Sequence, residues 1–344
     1  MFLKTIEVQN FRSISNLKVE DLGQINIFTG KNNCGKTTLL EAVFQLVAWH
    51  IGGLQQLNSL RTLSKNNTDF SGFFYNMKED SSIVINGIFD EKSYQRTVTI
   101  HFTKAINIFN EENTKYLQSN LSERQKGSKQ SEPIVGKAKI KDGDIIFEDI
   151  MQAPTLSLRC NFPIFKVFEH GNLIRSLSDI IINKQKSKVL ELLQQIDNRI
   201  KDIEVVDNGI FLDLENFPKF IPIEISGDGL RRILSVILSI YGVGKGGMVM
   251  IDEVENGLHF STMPKFWRGL INAAQDIGVQ LFITTHNEEL LQSLSKTAQE
   301  GPYKQMQPKI KYYNLKRYEN DEIVAYKYDF DKFDFLISNG NEIR

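Results

Sequence analysis

The sequence predicts an α/β fold with a mixed sheet, a β-rich amino-terminal lobe and an inserted lid region. Three observations support this prediction. A short apolar strand at 25–29 is followed by a glycine-bounded turn and a helical stretch over about 36–50. Strand-like alternation dominates the middle of the chain. From about residue 221 onward, apolar strands alternate with helical segments, which is typical of α/β proteins.

The composition is that of a folded globular protein. Of 344 residues, 41% are hydrophobic and 24% are charged, and the formal net charge is −1. Such a charge gives no general attraction to nucleic acid, so DNA binding would need a local patch or a groove between two copies. The two cysteines, Cys34 and Cys160, exclude a disulfide framework. No signal peptide or membrane-spanning run is evident, so we expect a cytoplasmic protein with no membrane partner.

Further strands are predicted from alternating polar and apolar residues. The first lies at 3–8, ahead of the strand at 25–29. Strand-like runs in the middle third lie at 82–89, 96–102 and 138–147, the last containing the turn pair Asp142-Gly143. The polar segment 110–132 between them is predicted to be a mobile loop.

The segment 185–205 has apolar residues at helical spacing and polar residues on its other faces. This pattern predicts an amphipathic helix of about five turns. It is too short for a coiled-coil arm. Packing as a lid on its own core is therefore favoured over a dimerisation arm.

The last third predicts the alternating elements of an α/β domain. Helices are expected at 230–241, 264–274 and 288–294, and strands at 248–252 and 279–284. A final pair of strands, joined by a polar turn, is expected within 309–328.

The segment 30–37, Gly-Lys-Asn-Asn-Cys-Gly-Lys-Thr, fits the P-loop pattern at every required position. Glycines let the backbone N–H groups point inward at phosphate oxygens, and the positive end of the following helix adds attraction. Lys36 is expected to reach the β- and γ-phosphates, and Thr37 to give its hydroxyl to Mg²⁺. The side chain of Cys34 is expected to face outward. The candidate nucleotide contacts of this loop are Gly30, Asn32, Asn33, Cys34, Gly35, Lys36, Thr37 and Thr38.

A second motif places two carboxylates after an apolar strand, at Asp252 and Glu253. Ligands of open α/β sheets bind at the carboxyl ends of the strands, where these residues fall. Asp252 would hold Mg²⁺ through its water shell, and Glu253 would act as general base on the attacking water. The alternative, an ordinary acidic surface turn, is disfavoured by the P-loop in the same chain.

Two further features complete the predicted site. His286 ends the next apolar strand, where a sensor of the γ-phosphate would sit, although a single histidine can also be structural. The turn Ser226-Gly227-Asp228-Gly229 opens a helix and can bind an anion. A chain with one P-loop and one such turn predicts a second copy, whose nucleotide would be contacted by Ser226, Gly227 and Gly229. The alternative is a simple glycine-rich helix start.

Together these motifs resemble the Walker A, signature, Walker B and switch-histidine set of ABC ATPases, in the same order. The stretch Val8-Gln9-Asn10-Phe11-Arg12-Ser13 ahead of the P-loop resembles the opening of RecF, SMC and OLD (overcoming lysogenisation defect) ATPases. The resemblance implies an ABC-type P-loop NTPase fold and the cofactors ATP and Mg²⁺. It also implies that Arg12 lies near the nucleotide phosphates, where the alternative is a surface arginine.

Within this group the segment 252–259, Asp-Glu-Val-Glu-Asn-Gly-Leu-His, is most similar to stand-alone OLD-type ATPases. Two departures from the family pattern stand out. The signature has Ser-Gly-Asp-Gly in place of Ser-Gly-Gly, and the glutamine that couples the lid to Mg²⁺ has only Gln152 as a candidate. No clustered acidic residues of a TOPRIM nuclease domain follow the last strand.

The resemblance implies one ATPase head over 1–344, with a first lobe at 1–75, an inserted lid at 76–220 and a second lobe at 221–344. Two heads would form a homodimer or higher oligomer through their ATP sites and control a separately encoded effector, such as a nuclease in anti-phage defence. One alternative is a RecF-like DNA repair ATPase that uses lysines within 126–141. Another is a slow-turnover assembly scaffold. A transporter ATPase is disfavoured because the chain lacks the conventional signature and a clear Q-loop, the segment that carries the glutamine coupling the lid to Mg²⁺.

Overall fold

The computed structural model describes residues 1–61, 69–90, 94–103, 114–141, 144–148, 153–162, 170–255 and 258–339. Within these ranges the chain forms eight α-helices and sixteen strands arranged in three sheets. The strands are β1 (Leu3–Phe11), β2 (Ile14–Val19), β3 (Ile25–Thr29), β4 (Ile83–Phe89), β5 (Tyr94–Thr103), β6 (Thr114–Gln125), β7 (Ile134–Lys141), β8 (Asp144–Phe147), β9 (Cys160–Asn161), β10 (Ile200–Val206), β11 (Gly209–Leu214), β12 (Ile221–Pro222), β13 (Met248–Ile251), β14 (Gln280–Thr284), β15 (Ile310–Arg317) and β16 (Ile323–Tyr328). The helices are α1 (Lys36–Ala48), α2 (Ile51–Arg61), α3 (His170–Ile182), α4 (Lys186–Ile196), α5 (Asp228–Val243), α6 (Met263–Ile277), α7 (Glu288–Gln299) and α8 (Phe330–Ser338).

The sheet that carries the candidate site has the strand order β16-β15-β3-β14-β13-β9 in the described part of the chain. Strands β15, β3, β14, β13 and β9 run parallel, and β16 is antiparallel at one edge. Every residue of β3, β13 and β14 is buried. Met248 and Met250 join the core around α1, while Val249 and Ile251 join the core around α5 and α6. The continuous apolar runs are therefore strands covered on both faces.

A larger antiparallel sheet covers the other side of α1. Its described strands follow the order β2-β1-β4-β5-β6-β7-β8. Helix α1 lies between the two sheets, and its central residues, 38–47, are all buried. The predicted α/β fold with a mixed sheet and a β-rich amino-terminal lobe is confirmed. The strands of the inserted region extend the same sheet as β1 and β2, and the lobe boundaries at 75 and 220 stay a prediction.

Most predicted elements lie where the sequence placed them. The strand predicted at 138–147 is the β7–β8 hairpin, and its turn pair Asp142-Gly143 lies outside the described residues. The helices predicted at 36–50, 230–241, 264–274 and 288–294 correspond to α1, α5, α6 and α7. The closing pair of strands is β15 and β16, which pair antiparallel.

The five-turn helix predicted over 185–205 is wrong in its second half. Helix α4 ends at Ile196, and Ile200 and Ile203 lie on β10, which forms a hairpin with β11. Asp197 breaks the helix because its carboxylate accepts the backbone N–H of Arg199 at 3.0 Å. The β-branched residues beyond it favour a strand once a partner strand is present. Helix α4 packs on its own chain, as the lid alternative expected.

The loop predicted over 110–132 is also wrong for most of its length. Residues 110–113 lie outside the described part, but β6 occupies Thr114–Gln125. Its inward residues alternate apolar and polar, at Leu117, Ser119, Leu121 and Glu123. The buried polar residues concealed the alternation, because Glu123 is inside only through its pairing with Arg96 at 2.6 Å.

Candidate nucleotide site

The P-loop is shaped by two glycines that other residues could not replace. Gly30 follows β3 with φ of 135°, and a Cβ there would lie 2.3 Å from the Leu315 carbonyl oxygen. Gly35 precedes α1 with φ of 93°. Both glycines have positive φ angles, which residues with side chains rarely adopt. The backbone therefore turns tightly from a buried strand into the amino end of a buried helix.

Lys36 turns its ammonium back over this loop. Its Nζ donates to the carbonyl oxygens of Gly30 at 2.7 Å and Lys31 at 2.9 Å. Asn32 and Asn33 lie exposed at the tip, and Asn33 has φ of 64°. The positive charge is thus held over the concave side of a loop that opens a helix, the arrangement that binds phosphate in other proteins.

The expectation that Cys34 faces outward is wrong. Its side chain is 2% exposed and belongs to the core that contains Leu315 and Ile323. Burial raises the pKa of its thiol, which keeps the sulfur neutral among apolar neighbours. The motif alone could not show that β15 and β16, from the carboxyl-terminal part of the chain, cover this loop. Any contact of Cys34 with a nucleotide is left to its backbone.

Thr37 and Asp252 meet across the site. The Thr37 hydroxyl donates to Asp252, with Oγ1 2.9 Å from Oδ2 and 3.1 Å from Oδ1. The hydroxyl of Thr284, at the end of β14, donates to Asp252 Oδ1 at 2.5 Å. Parallel strands β13 and β14 place their carboxyl ends at one edge, directly against the start of α1. The next threonine, Thr38, is buried, and its hydroxyl lies 3.1 Å from that of Ser13.

These contacts provide the oxygen donors that Mg²⁺ prefers. A threonine hydroxyl and a carboxylate are hard ligands, and they converge on one point beside the P-loop. The residues present therefore fit a magnesium ion.

Glu253 is exposed beside this point, on a strained backbone. Its φ is 46°, which is uncommon for a residue with a side chain. Its N–H donates to Thr284 Oγ1 at 2.8 Å. Such backbone conformations persist only where the surroundings hold them, and they occur frequently at functional sites.

His286 follows β14 and is fixed by Glu255. The imidazole Nδ1 lies 2.7 Å from Glu255 Oε1, and the same oxygen accepts the His286 backbone N–H at 3.0 Å. The carboxylate of Glu255 is buried, while the imidazole is 51% exposed. The ring is therefore anchored at one nitrogen and presents its other edge outward.

The Ser226 turn opens α5, as predicted. Gly227 has φ of 93°, and Ser226 Oγ donates to the Ile223 carbonyl at 2.6 Å. In the described part of the chain, no hydrogen bond joins the residues of this turn to the P-loop. Gly229 lies in the first turn of the helix. The structure thus groups the P-loop with 252–253 and 284–286, but not with Ser226, Gly227 and Gly229.

Arg12 lies at the turn between β1 and β2, with φ of 50°. Its Nε is 2.6 Å from Glu41 Oε2 on α1, and its guanidinium stacks 4.0 Å from the centre of the Phe73 ring. The side chain is therefore directed at the flank of the P-loop helix. A contact with nucleotide phosphates stays a prediction.

Three residues of the site were missed by the sequence reasoning: Thr284, Glu255 and Arg232. Thr284 lies two positions before His286 and Glu255 two positions after Glu253, so their proximity to the site was available as a signal. Arg232 gave no such signal, because its contacts depend on how α5 packs on β13. The glutamine suggested at Gln152 lies outside the described residues.

This fold and site define a P-loop ATPase head of the ABC type, like those of SMC and RecF proteins, and the chain is an ATPase. It belongs to the family described as "AAA domain, putative AbiEii toxin, Type IV TA system", whose model matches residues 87–292. A second model, "AAA ATPase domain", matches residues 1–156.

Individual relatives agree with this assignment. An "ATP/GTP phosphatase" of Helicobacter pylori is 25% identical over 340 residues, covering 88% of this chain and 90% of that protein. The "DNA replication and repair protein RecF" of Idiomarina loihiensis is 36% identical over 76 residues, or 21% of this chain and 20% of that protein. The structure titled "SmcHead bound to the C-winged helix domain of ScpA" covers 96% of this chain and 99% of that chain, with a TM-score of 0.51 and 11% identity. No helix in the described ranges is long and apolar enough to cross a membrane.

Proposed function

We propose that the chain binds Mg²⁺-ATP in the loop 30–38 and hydrolyses it with Glu253 as general base. The contact between Thr37 and Asp252 is the observation that carries this proposal. It joins two motifs that are 215 residues apart in sequence and creates a paired oxygen site beside the phosphate loop.

Each side chain then has a distinct task. Thr37 and Asp252 would hold Mg²⁺, which neutralises phosphate charge when it is bound. Lys36 binds the β- and γ-phosphate oxygens. Glu253 takes a proton from the attacking water as the new bond to the γ-phosphorus forms and the bond to the β–γ bridging oxygen breaks. His286 contacts a γ-phosphate oxygen through the nitrogen that faces away from Glu255.

The site is completed by a second copy of the chain. The Ser226 turn lies at the amino end of α5, where unpaired backbone N–H groups attract an anion. Gly227 is exposed, and the neighbouring Ile225 is 68% exposed. A head-to-tail homodimer would place this turn against the nucleotide of the partner and cover that apolar residue.

Light scattering of the wild type and Glu253→Gln, with and without Mg²⁺-ATP, tests the dimer. ATP should convert Glu253→Gln, which is expected to hydrolyse it slowly, into a dimer or larger assembly. The bound nucleotide would then bridge the P-loop of one copy and the Ser226 turn of the other. Glu319→Gln, at an exposed turn, is the matched control and should behave as wild type. A variant that stays monomeric at saturating ATP would contradict the shared site. Wild-type turnover in Glu253→Gln would instead contradict the role of Glu253.

The biological setting we propose is control of a separately encoded effector in anti-phage defence, as the resemblance to stand-alone OLD-type ATPases implies. The rate of ATP turnover distinguishes effector control from a scaffold role, because a scaffold assembles on ATP and hydrolyses it very slowly. Phage plating on cells that express the chain with its neighbouring genes should lose protection in Glu253→Gln. Equal plating with and without the wild-type genes would contradict the defence role.

A second candidate function, binding of duplex DNA, is favoured by one observation. Lys137, Lys139 and Lys141 alternate along β7 and share the face of the large sheet that points away from α1. Asp144 lies opposite Lys141 and offsets part of this charge. If this face binds DNA, affinity should fall steeply with salt, and replacing all three lysines with glutamate should abolish it. DNA binding that does not depend on salt, or no DNA binding, would rule out this second candidate and leave effector control as the proposed function.

A further inference from the structure

Arg232 connects helix α5 to the loop that presents Glu253. Its Nη2 donates to two consecutive carbonyl oxygens, those of Asp252 at 3.2 Å and Glu253 at 2.6 Å. The residue is half-buried on the helix that begins next to Ser226. A cation on two main-chain oxygens at the end of a β-strand restrains the path of the backbone at that point.

The backbone that Arg232 restrains is the strained backbone of Glu253. Glu253 has φ of 46°, and its N–H is held by the Thr284 hydroxyl at 2.8 Å. Arg232 holds the carbonyl on the other side of the same Cα. The two contacts come from different elements, β14 and α5, and together they fix both peptide planes that flank Glu253. The direction in which the Glu253 side chain leaves the backbone is set by these planes.

We infer that Arg232 is a positioning residue for hydrolysis, which keeps Glu253 in the left-handed conformation that aims its carboxylate at the attacking water. This inference rests on the proposed role of Glu253 as general base. Arginine suits the task because its planar guanidinium has several donors in fixed directions, whereas lysine offers a single point of charge. Burial lowers the pKa of Arg232 to about 10, and nearby Glu255, Glu253 and Asp252 oppose that shift, so the group stays charged at neutral pH.

The test compares Arg232→Met, which removes the donors, with Arg232→Lys, which keeps the charge. We expect kcat to fall about 10- to 100-fold in Arg232→Met, because a general base displaced by about 1 Å loses that much rate. The affinity for a fluorescent ATP analogue should stay within about threefold, since the P-loop is not touched. Arg232→Lys should recover part of the rate. Arg268→Met, which breaks a partly exposed pair with Glu300, is the control.

A double variant shows whether Arg232 acts through Glu253. Once Glu253→Gln has removed the base, adding Arg232→Met should slow hydrolysis little further, because residues that act as a unit are non-additive. Losses that multiply, or a kcat unchanged in both Arg232 variants, would overturn the inference. If Arg232→Met does not fold, as judged by circular dichroism, Arg232→Lys decides by the same comparison. Failure of the base proposal is distinct, since Glu253→Gln alone would then keep wild-type turnover.

Discussion

The Glu255 carboxylate holds His286 at two points through a single oxygen, which lies 2.7 Å from the imidazole Nδ1 and 3.0 Å from the backbone nitrogen. Glu255 is nearly inaccessible, so this carboxylate is a fixed part of the site. The contact at Nδ1 fixes the orientation of the ring and therefore the direction in which Nε2 points. The buried Glu255 carboxylate thus sets the orientation of the predicted γ-phosphate sensor.

Replacing Glu255 should therefore impair turnover more than binding. In Glu255→Ala the imidazole loses its anchor, and we expect kcat to fall about 10- to 100-fold with ATP affinity nearly unchanged. Glu255→Gln keeps an acceptor oxygen and should retain more activity. Steady-state kinetics and binding of a fluorescent ATP analogue measure the two effects. Equal activity of Glu255→Ala and the wild type would show that the orientation of His286 is unimportant.

Loss of the P-loop ammonium should impair binding itself. Lys36→Ala removes a charged donor over the loop, a contribution of about 1.5–3 kcal/mol, so ATP affinity should fall about 10- to 100-fold. Isothermal titration calorimetry gives the affinity directly. Lys18→Ala removes an exposed lysine paired with Glu20 and should leave ATP binding unchanged. Undiminished affinity in Lys36→Ala would argue against the loop as the phosphate site.

The shape of the loop depends on Gly30. Gly30→Ala would place a methyl group 2.3 Å from the Leu315 carbonyl and 2.7 Å from Cys34 Sγ, at a φ of 135°. We expect strain of at least about 1–3 kcal/mol, a lower melting temperature and roughly tenfold or greater loss of ATP affinity. Gly72→Ala is the matched control, because nothing lies within 4 Å of the added carbon. A melting temperature equal for both variants would contradict the packing described.

A buried ion pair stabilises the large sheet against the P-loop helix. Arg96 and Glu123 are almost completely inaccessible, and Arg96 also donates to the Leu46 and Val47 carbonyls near the end of α1. Removing one partner leaves a buried charge, so Glu123→Gln or Arg96→Met should each cost about 3–5 kcal/mol. Replacing the pair by apolar residues, as in Arg96→Met with Glu123→Leu, should recover much of that loss. Thermal unfolding measures each variant.

The same pair predicts how stability depends on pH. Burial alone would raise the pKa of Glu123, but the nearby Tyr94 hydroxyl and the charge and hydrogen bonds of Arg96 outweigh it and lower the pKa below the ordinary 4.5. A lowered pKa gives stability that is complete above the unfolded value and is lost as pH falls through the folded value. Melting temperatures measured from pH 7 down to pH 3 should fall less steeply in Glu123→Gln than in the wild type. If the melting temperatures of Glu123→Gln and the wild type fall in parallel with pH, Glu123 does not contribute to the loss of stability in acid.

The sequence by itself determined the P-loop, the acidic pair after β13 and the α/β alternation of the last third. These features depend on neighbouring residues: glycines at fixed spacing, and apolar runs that must be strands buried on both faces. For the same reason it predicted the helix that opens at Ser226 and the position of His286.

Only the tertiary structure decided what depends on distant partners. β6 is a strand because Arg96 neutralises the buried Glu123, and β10 is a strand because β11 pairs with it where helical spacing alone favoured a longer α4. Cys34 is buried because strands from the carboxyl-terminal part of the chain cover the loop. Arg232 reaches the Glu253 carbonyl only because α5 packs beside β13. Local patterns cannot contain these contacts, since each one depends on residues that folding brings together.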